Sequence, residues 1–60
     1  MNIKQAEKLL DKYILVEIHG VVTEKKLVKL SEDRTHIKLK SYGHYYDWEH
    51  IKDVKFIQIL

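Results

Sequence analysis

Cysteine and proline are both absent from this chain, and glycine occurs only twice. Without cysteine there is no disulfide and no thiolate metal site, and a reducing compartment such as the cytoplasm is the expected setting. No linker, repeat or low-complexity tract divides the chain, so its 60 residues read as one domain. No apolar run approaches the roughly 20 residues a membrane-crossing helix needs. The opening MNIKQAEKLL lacks the uninterrupted apolar core of a signal peptide. Neither sign of charge dominates: the formal net charge is +2, which permits an anionic partner without requiring one. A chain this short has a small core and needs a staple, a metal or a partner chain. The device that remains is oligomerisation, most simply a dimer.

What the chain does have is a change of period. Asn2 is placed to cap a helix over about residues 2–13, with Gln5 as a capping-box partner. Ile3, Ala6, Leu9, Leu10 and Tyr13 recur at helical spacing, with Lys4, Lys8 and Lys12 on the other side as a solvated face. From Ile14 the period becomes two. Ile14, Val16 and Ile18 alternate with Leu15, Glu17 and His19, the pattern of a half-buried strand. Gly20 marks a bend or bulge. A second strand is expected from about Val22 to Leu30, broken by a bend at Glu24-Lys25-Lys26. Residues 31–35 form a polar turn. A third strand, His36 to Tyr42, directs Ile37 and Leu39 inward and His36, Lys38 and Lys40 outward. After Gly43 come a short strand from Tyr45 to Trp48, one helical turn from Trp48 to Ile51, and a last strand from Val54 to Ile59. In that last strand Val54, Phe56 and Leu60 fall on one face and Ile57 and Ile59 on the other. A strand apolar on both faces predicts an oligomer interface made by Val54, Phe56, Ile57, Ile59 and Leu60.

The segments ILVEIHG, KKLVKLSEDRTHIKLK and YYDWEHIKDVKFI, preceded by a helix, resemble the Sm-like fold, and SH3-like barrels with a leading helix share the pattern. The resemblance covers nearly the whole chain. It implies an α+β domain: an N-terminal helix followed by a five-stranded antiparallel SH3-like or Sm-like barrel over about residues 14–60. The chain departs from the family in its details. The second strand has no glycine for a sharp bend, and the turn at residues 32–35 lacks the Asp-x-x-x-Asn arrangement found near RNA. His50-Ile51 is similar to the Lys-His segment of the bacterial Sm-like RNA chaperones, but Glu49 stands where that segment has lysine. The architecture is implied and no site residue is transferred.

Catalysis is not expected. There is no nucleophile triad with supporting glycines, no phosphate loop and no paired-carboxylate pattern. Neither a metal nor a cofactor is expected. His44, Asp47 and His50 recur at steps of three, which in a strand puts neighbours on opposite faces. The aromatics carry more. Tyr42, Tyr45, Tyr46 and Trp48 crowd one hairpin. Alternation separates Tyr46 and Trp48, assigned to the core, from Tyr45. Tyr42 and Tyr45 are left exposed near His36, Lys38, Lys40 and His44, with Lys29 on the neighbouring strand. A ring beside a cation suits a nucleobase with its phosphate.

The expected function is therefore non-catalytic binding of an anionic, nucleotide-bearing ligand through Lys29, His36, Lys38, Lys40, Tyr42, His44 and Tyr45. The ligand is single-stranded nucleic acid or a small nucleotide signal. The second form suits a stoichiometric sequestering protein, as phages use against bacterial immune signalling. The alternative is a protein-interaction module or small inhibitor that offers an edge strand and an aromatic groove to a protein partner.

Overall fold

Asn2 opens the helix as the spacing predicts. Its side-chain oxygen accepts from the Gln5 N–H at 2.8 Å, satisfying one of the four donors a helix start leaves free. In a computed structural model that describes residues 1–60, this helix, α1, spans only Ile3–Lys8. The expected continuation to residue 13 is overturned by competition for the backbone. Asp11 turns into the left-handed region (φ 64°), its N–H donates to the Leu27 carbonyl at 2.8 Å, and the Leu27 N–H donates back to Lys12 at 3.1 Å. Residues 11 and 12 thus pair with the second strand instead of extending a helix. Leu10 is left partly exposed. Tyr13 opens the first strand rather than closing the helix's apolar stripe.

Five strands follow: β1 Tyr13–Ile18, β2 Val21–Leu30, β3 His36–Lys40, β4 Tyr46–His50 and β5 Val54–Ile59. They form one antiparallel sheet in the order β4-β3-β2-β1-β5. The architecture is a small α+β fold with one short N-terminal helix and an open sheet, whose two edges are β4 and β5. No helix is long and apolar enough to cross a membrane.

Gly20 serves a hairpin turn rather than a bulge. His19 (φ 51°) and Gly20 (φ 82°) are the two central residues between paired Ile18 and Val21, and positive φ at both suits the right-handed twist of a two-residue hairpin. The expected bend at Glu24-Lys25-Lys26 is absent. Lys25 and Lys26 are laddered to Ile14 and Tyr13 on β1, and Lys26 also to Lys40 on β3. The irregularity falls later. Leu27 pairs with Leu39 and Lys29 with Lys38, so Val28 is an extra residue. A bulge there bends the strand without glycine.

β3 ends at Lys40, two residues short of expectation, because Ser41 donates its N–H to Tyr45 across the turn at 2.8 Å. β4 begins and ends later than expected, and the helical turn is correspondingly displaced, a 3-10 turn over Ile51–Asp53. His50 is extended (ψ 134°) and caps it, its Nδ1 accepting from the Lys52 N–H at 3.1 Å.

The core is nine apolar residues: Ala6 and Leu9 from the helix segment, Ile14 and Val16 of β1, Leu27 of β2, Ile37 and Leu39 of β3, then Ile51 and Val54. No polar or charged residue is buried. β5 follows its predicted bounds, but its faces do not alternate strictly. Val16 pairs with Phe56, Leu15 with Gln58 and Ile14 with Ile59, leaving Ile57 as an extra residue. Directly paired residues share a side of the sheet. Ile59 therefore lies on the core side with Val54 and Phe56, not with Ile57 as alternation predicts. It sits at the rim, and Ile57, Ile59 and Leu60 are all exposed.

Candidate ligand-binding face

The hairpin about Gly43 decides what meets on the outer face. Gly43 (φ 85°) and His44 (φ 71°) both take left-handed backbone, reversing the chain so that β3 and β4 pair symmetrically about Gly43. Lys40 pairs with Tyr46, Lys38 with Trp48 and His36 with His50. These side chains share the side opposite Ile37 and Leu39, whose burial is complete or nearly so. Each rung thus sets a cation or an imidazole on β3 against a ring on β4.

Tyr46 and Trp48 are consequently not core residues. They are 47% and 48% exposed. The inner side of β4 carries Asp47 and Glu49, opposite Leu39 and Ile37. An edge strand with a solvated inner side can hold carboxylates there, and the aliphatic side chains of β1 to β3, with Ile51 and Val54, already form the core. The partner nearest Glu49 is His19, at 3.9 Å. Asp47 and His50 fall on opposite sides, so the three-residue spacing of His44, Asp47 and His50 does not converge.

The cations continue onto β2. Lys26 pairs with Lys40, and Lys29 with Lys38. Tyr13 of β1 pairs with Lys26, whose Nζ lies 5.6 Å from the tyrosine ring centroid. One rung therefore crosses four strands as Tyr13, Lys26, Lys40 and Tyr46. Lys38 Nζ lies 4.9 Å from the Tyr46 ring and 5.9 Å from Trp48, and Lys40 Nζ lies 5.9 Å from Tyr46. The ion pair in the chain is elsewhere, Arg34 with Glu7, and the His19 imidazole, not a lysine, approaches Glu49. No carboxylate pairs with Lys26, Lys29, Lys38 or Lys40.

The last rung is held from both ends. The His36 and His50 rings meet edge-on, centroids 4.9 Å apart at 68°. Thr35 donates its hydroxyl to Asp33 at 2.7 Å, so its oxygen is left to accept from His36 Nδ1, also 2.7 Å away. His50 Nδ1 already accepts the Lys52 N–H. His36 therefore carries its proton on Nδ1 and His50 on Nε2 in their neutral forms. Asp33 also accepts from the Ser31 hydroxyl and the Thr35 N–H. Hydrogen bonds from the Thr35 and Ser31 side chains, then the Thr35 backbone, hold its carboxyl down at about 2.

Tyr42, His44 and Tyr45 lie beyond the rungs, in the β3–β4 turn. Tyr42 and Tyr45 are 73% and 72% exposed. Tyr42 donates its hydroxyl to Glu24 at 2.7 Å, and this bond and the charge behind it raise the Tyr42 pKa. Tyr45 lies against Gly43. Tyr42, His44 and Lys40 share a shallow recess of about 90 Å³ with Tyr13 and Glu24, where the Lys25 ammonium also meets the Ser41 hydroxyl. Of the residues singled out from sequence, the structure thus joins Lys29, His36, Lys38 and Lys40 on one face and leaves Tyr42, His44 and Tyr45 at its end. Tyr13, Lys26, Tyr46, Trp48 and His50 belong with the face and were not among the site residues expected from sequence. For Tyr46, Trp48 and His50 the signal was the symmetry of even-numbered positions about Gly43; Tyr13 and Lys26 join through pairing along β1 and β2.

Compared with known proteins, the chain matches no family model, no curated protein and no solved structure.

Proposed function

We propose that the chain is a non-catalytic binding module that takes an anion bearing a nucleobase on the outer face of β2, β3 and β4. The observation that carries this reading is the pair of like-charge rungs, Lys26 with Lys40 and Lys29 with Lys38, beside the exposed rings of Tyr46 and Trp48. Like charges directly opposed in a sheet work against stability. With no carboxylate ion-paired to them, an anion relieves the repulsion. A ring next to the cations selects an anion with a flat apolar group, for which a stacked base contributes about 1–3 kcal/mol.

Trp48 is the only tryptophan and reports on its own site. Titrating the chain at low salt with nucleotides and short oligonucleotides should change Trp48 emission. The affinity should fall steeply as salt rises, and Lys38→Ala should flatten that dependence by about one unit of log–log slope. Unchanged emission with every nucleotide probe would sink the reading in favour of a protein partner.

In the same reading the open sheet is an SH3-like or Sm-like barrel. The linear order β5-β1-β2-β3-β4, a bulged ten-residue β2 and a 3-10 turn between β4 and β5 support it. Self-association through β5 belongs to the proposal as well, because Ile57, Ile59 and Leu60 are 43%, 54% and 52% exposed on a strand with a free edge.

A further inference from the structure

We infer that the ligand of this face, which rests on the binding reading above, is a single nucleic-acid strand lying extended along β4, one nucleotide to each rung. Tyr46, Trp48 and His50 stand two residues apart on one side of β4, opposite Lys40, Lys38 and His36 on β3. Two strand residues advance about 6.7 Å. That is about twice the 3.4 Å rise of a stacked strand. Successive bases therefore cannot stack on one another while each covers its own ring. The face fits a strand whose bases are spread apart, and a duplex, whose base faces are already covered, does not meet it.

The second row sets the backbone. Neighbouring strands run about 4.8 Å apart, so the β3 side chains follow the β4 rings at constant offset. A nucleotide has the same repeat, a flat base on one side and a charged phosphate on the other. Lys38 and Lys40 lie where phosphates pass when bases cover Trp48 and Tyr46, and Lys29 and Lys26 add charge behind them. In the free chain Lys38 and Lys40 lie over the rings. Stacking a base on a ring is worth more than an exposed cation–π contact. The bases thus displace the ammonium groups from the rings, and the ammonium groups turn to the phosphates.

A lone nucleotide uses one rung and leaves the others empty. A small nucleotide signal needs enclosure, typically a pocket of about 300 Å³ or more. The recess beside Lys40 holds about 90 Å³, and the larger one of about 450 Å³ between His36, Trp48 and the Ser31–Asp33 turn is open to solvent rather than enclosed. The open, repeated face favours the strand.

The test is a length series. Oligodeoxyuridylates and oligouridylates of one, two, three, four and eight nucleotides, a cyclic dinucleotide and an eight-pair duplex are titrated against Trp48 emission. Affinity should climb roughly fivefold or more with each nucleotide up to three, and beyond three only with the number of available registers. Tighter binding of one series over the other identifies the sugar. Anisotropy of a labelled octamer should show Tyr46→Ala and Trp48→Ala each weakening binding at least fivefold. Asp47→Ala, on the opposite side of β4, should leave binding unchanged, and circular dichroism checks that each variant is folded. A mononucleotide or cyclic dinucleotide that binds as tightly as the octamer, or a duplex that binds more tightly, would overturn the single-strand inference and leave the nucleotide-binding reading standing. Failure of every probe would remove both.

Discussion

Asp33 is exposed, yet it accepts three hydrogen bonds in the turn between β2 and β3. Its carboxyl titrates at about 2 in the folded chain against 3.8 for an unperturbed group, so folding favours the ionised form. A depressed folded pKa stabilises above the unfolded value and ceases to do so as pH falls through the folded one. The stabilisation is thus complete above about pH 4 and is lost between about 4 and 2. Following the Asp33 carboxyl by NMR should give a midpoint near 2, and Thr35→Val should raise it. A midpoint at 3.8 in the parent chain would contradict the turn's hydrogen bonding. At this scale the sequence was legible where one residue decides its own conformation: Asn2 caps, and Gly20 and Gly43 turn. It was misleading at Tyr46 and Trp48. Alternation put both on one face, and the need for a core-facing side suggested that face, whereas pairing with Lys40 and Lys38 set them on the outer side of the sheet.

Among the elements, β3 couples core and face most directly. Its odd positions, Ile37 and Leu39, are at most 1% exposed, and its even positions carry the site's cations. Leu39→Ala should cost about 2–5 kcal/mol, a large part of the stability of so small a domain. Lys38→Ala and Lys40→Ala should change stability little, and removing like-charge repulsion should make any change favourable. Urea unfolding would measure both. A Leu39→Ala cost under about 1 kcal/mol would mean that the inward face is wrongly assigned. Periodicity located β1 and β3 because each alternates over its length, and the bounds of β5 because most of its residues are apolar. It overextended α1, because the competing pairing of residues 11 and 12 with Leu27 is a long-range event that no local pattern records. The bulges at Val28 and Ile57 were invisible for the same reason: they are offsets between two strands. Half of the site was legible as the alternating cations of β3. The rings opposite them required the register.

For the whole molecule, nine buried residues form a modest core, and Ile57, Ile59 and Leu60 leave apolar surface exposed at and just beyond β5. Ile57→Lys should convert a self-associated chain to monomer. Light scattering over micromolar to near-millimolar concentration should show a dimer for the parent and half its mass for the variant. A parent that is monomeric throughout would refute association through β5.

The carboxylates of β4 bear on how large such an assembly can grow. A sheet with two free edges can add copies head to tail without limit. Here the two edges are unlike: β4 holds Asp47 and Glu49 on its inner side, while β5 has only Lys55 among its six residues. Inward charge on a border strand deters further pairing. In the proposed association through β5, growth at β4 would thereby be deterred, and each copy would pair once with its like. The same two acids that leave β4 without a place in the core would then set a finite stoichiometry instead of a fibre.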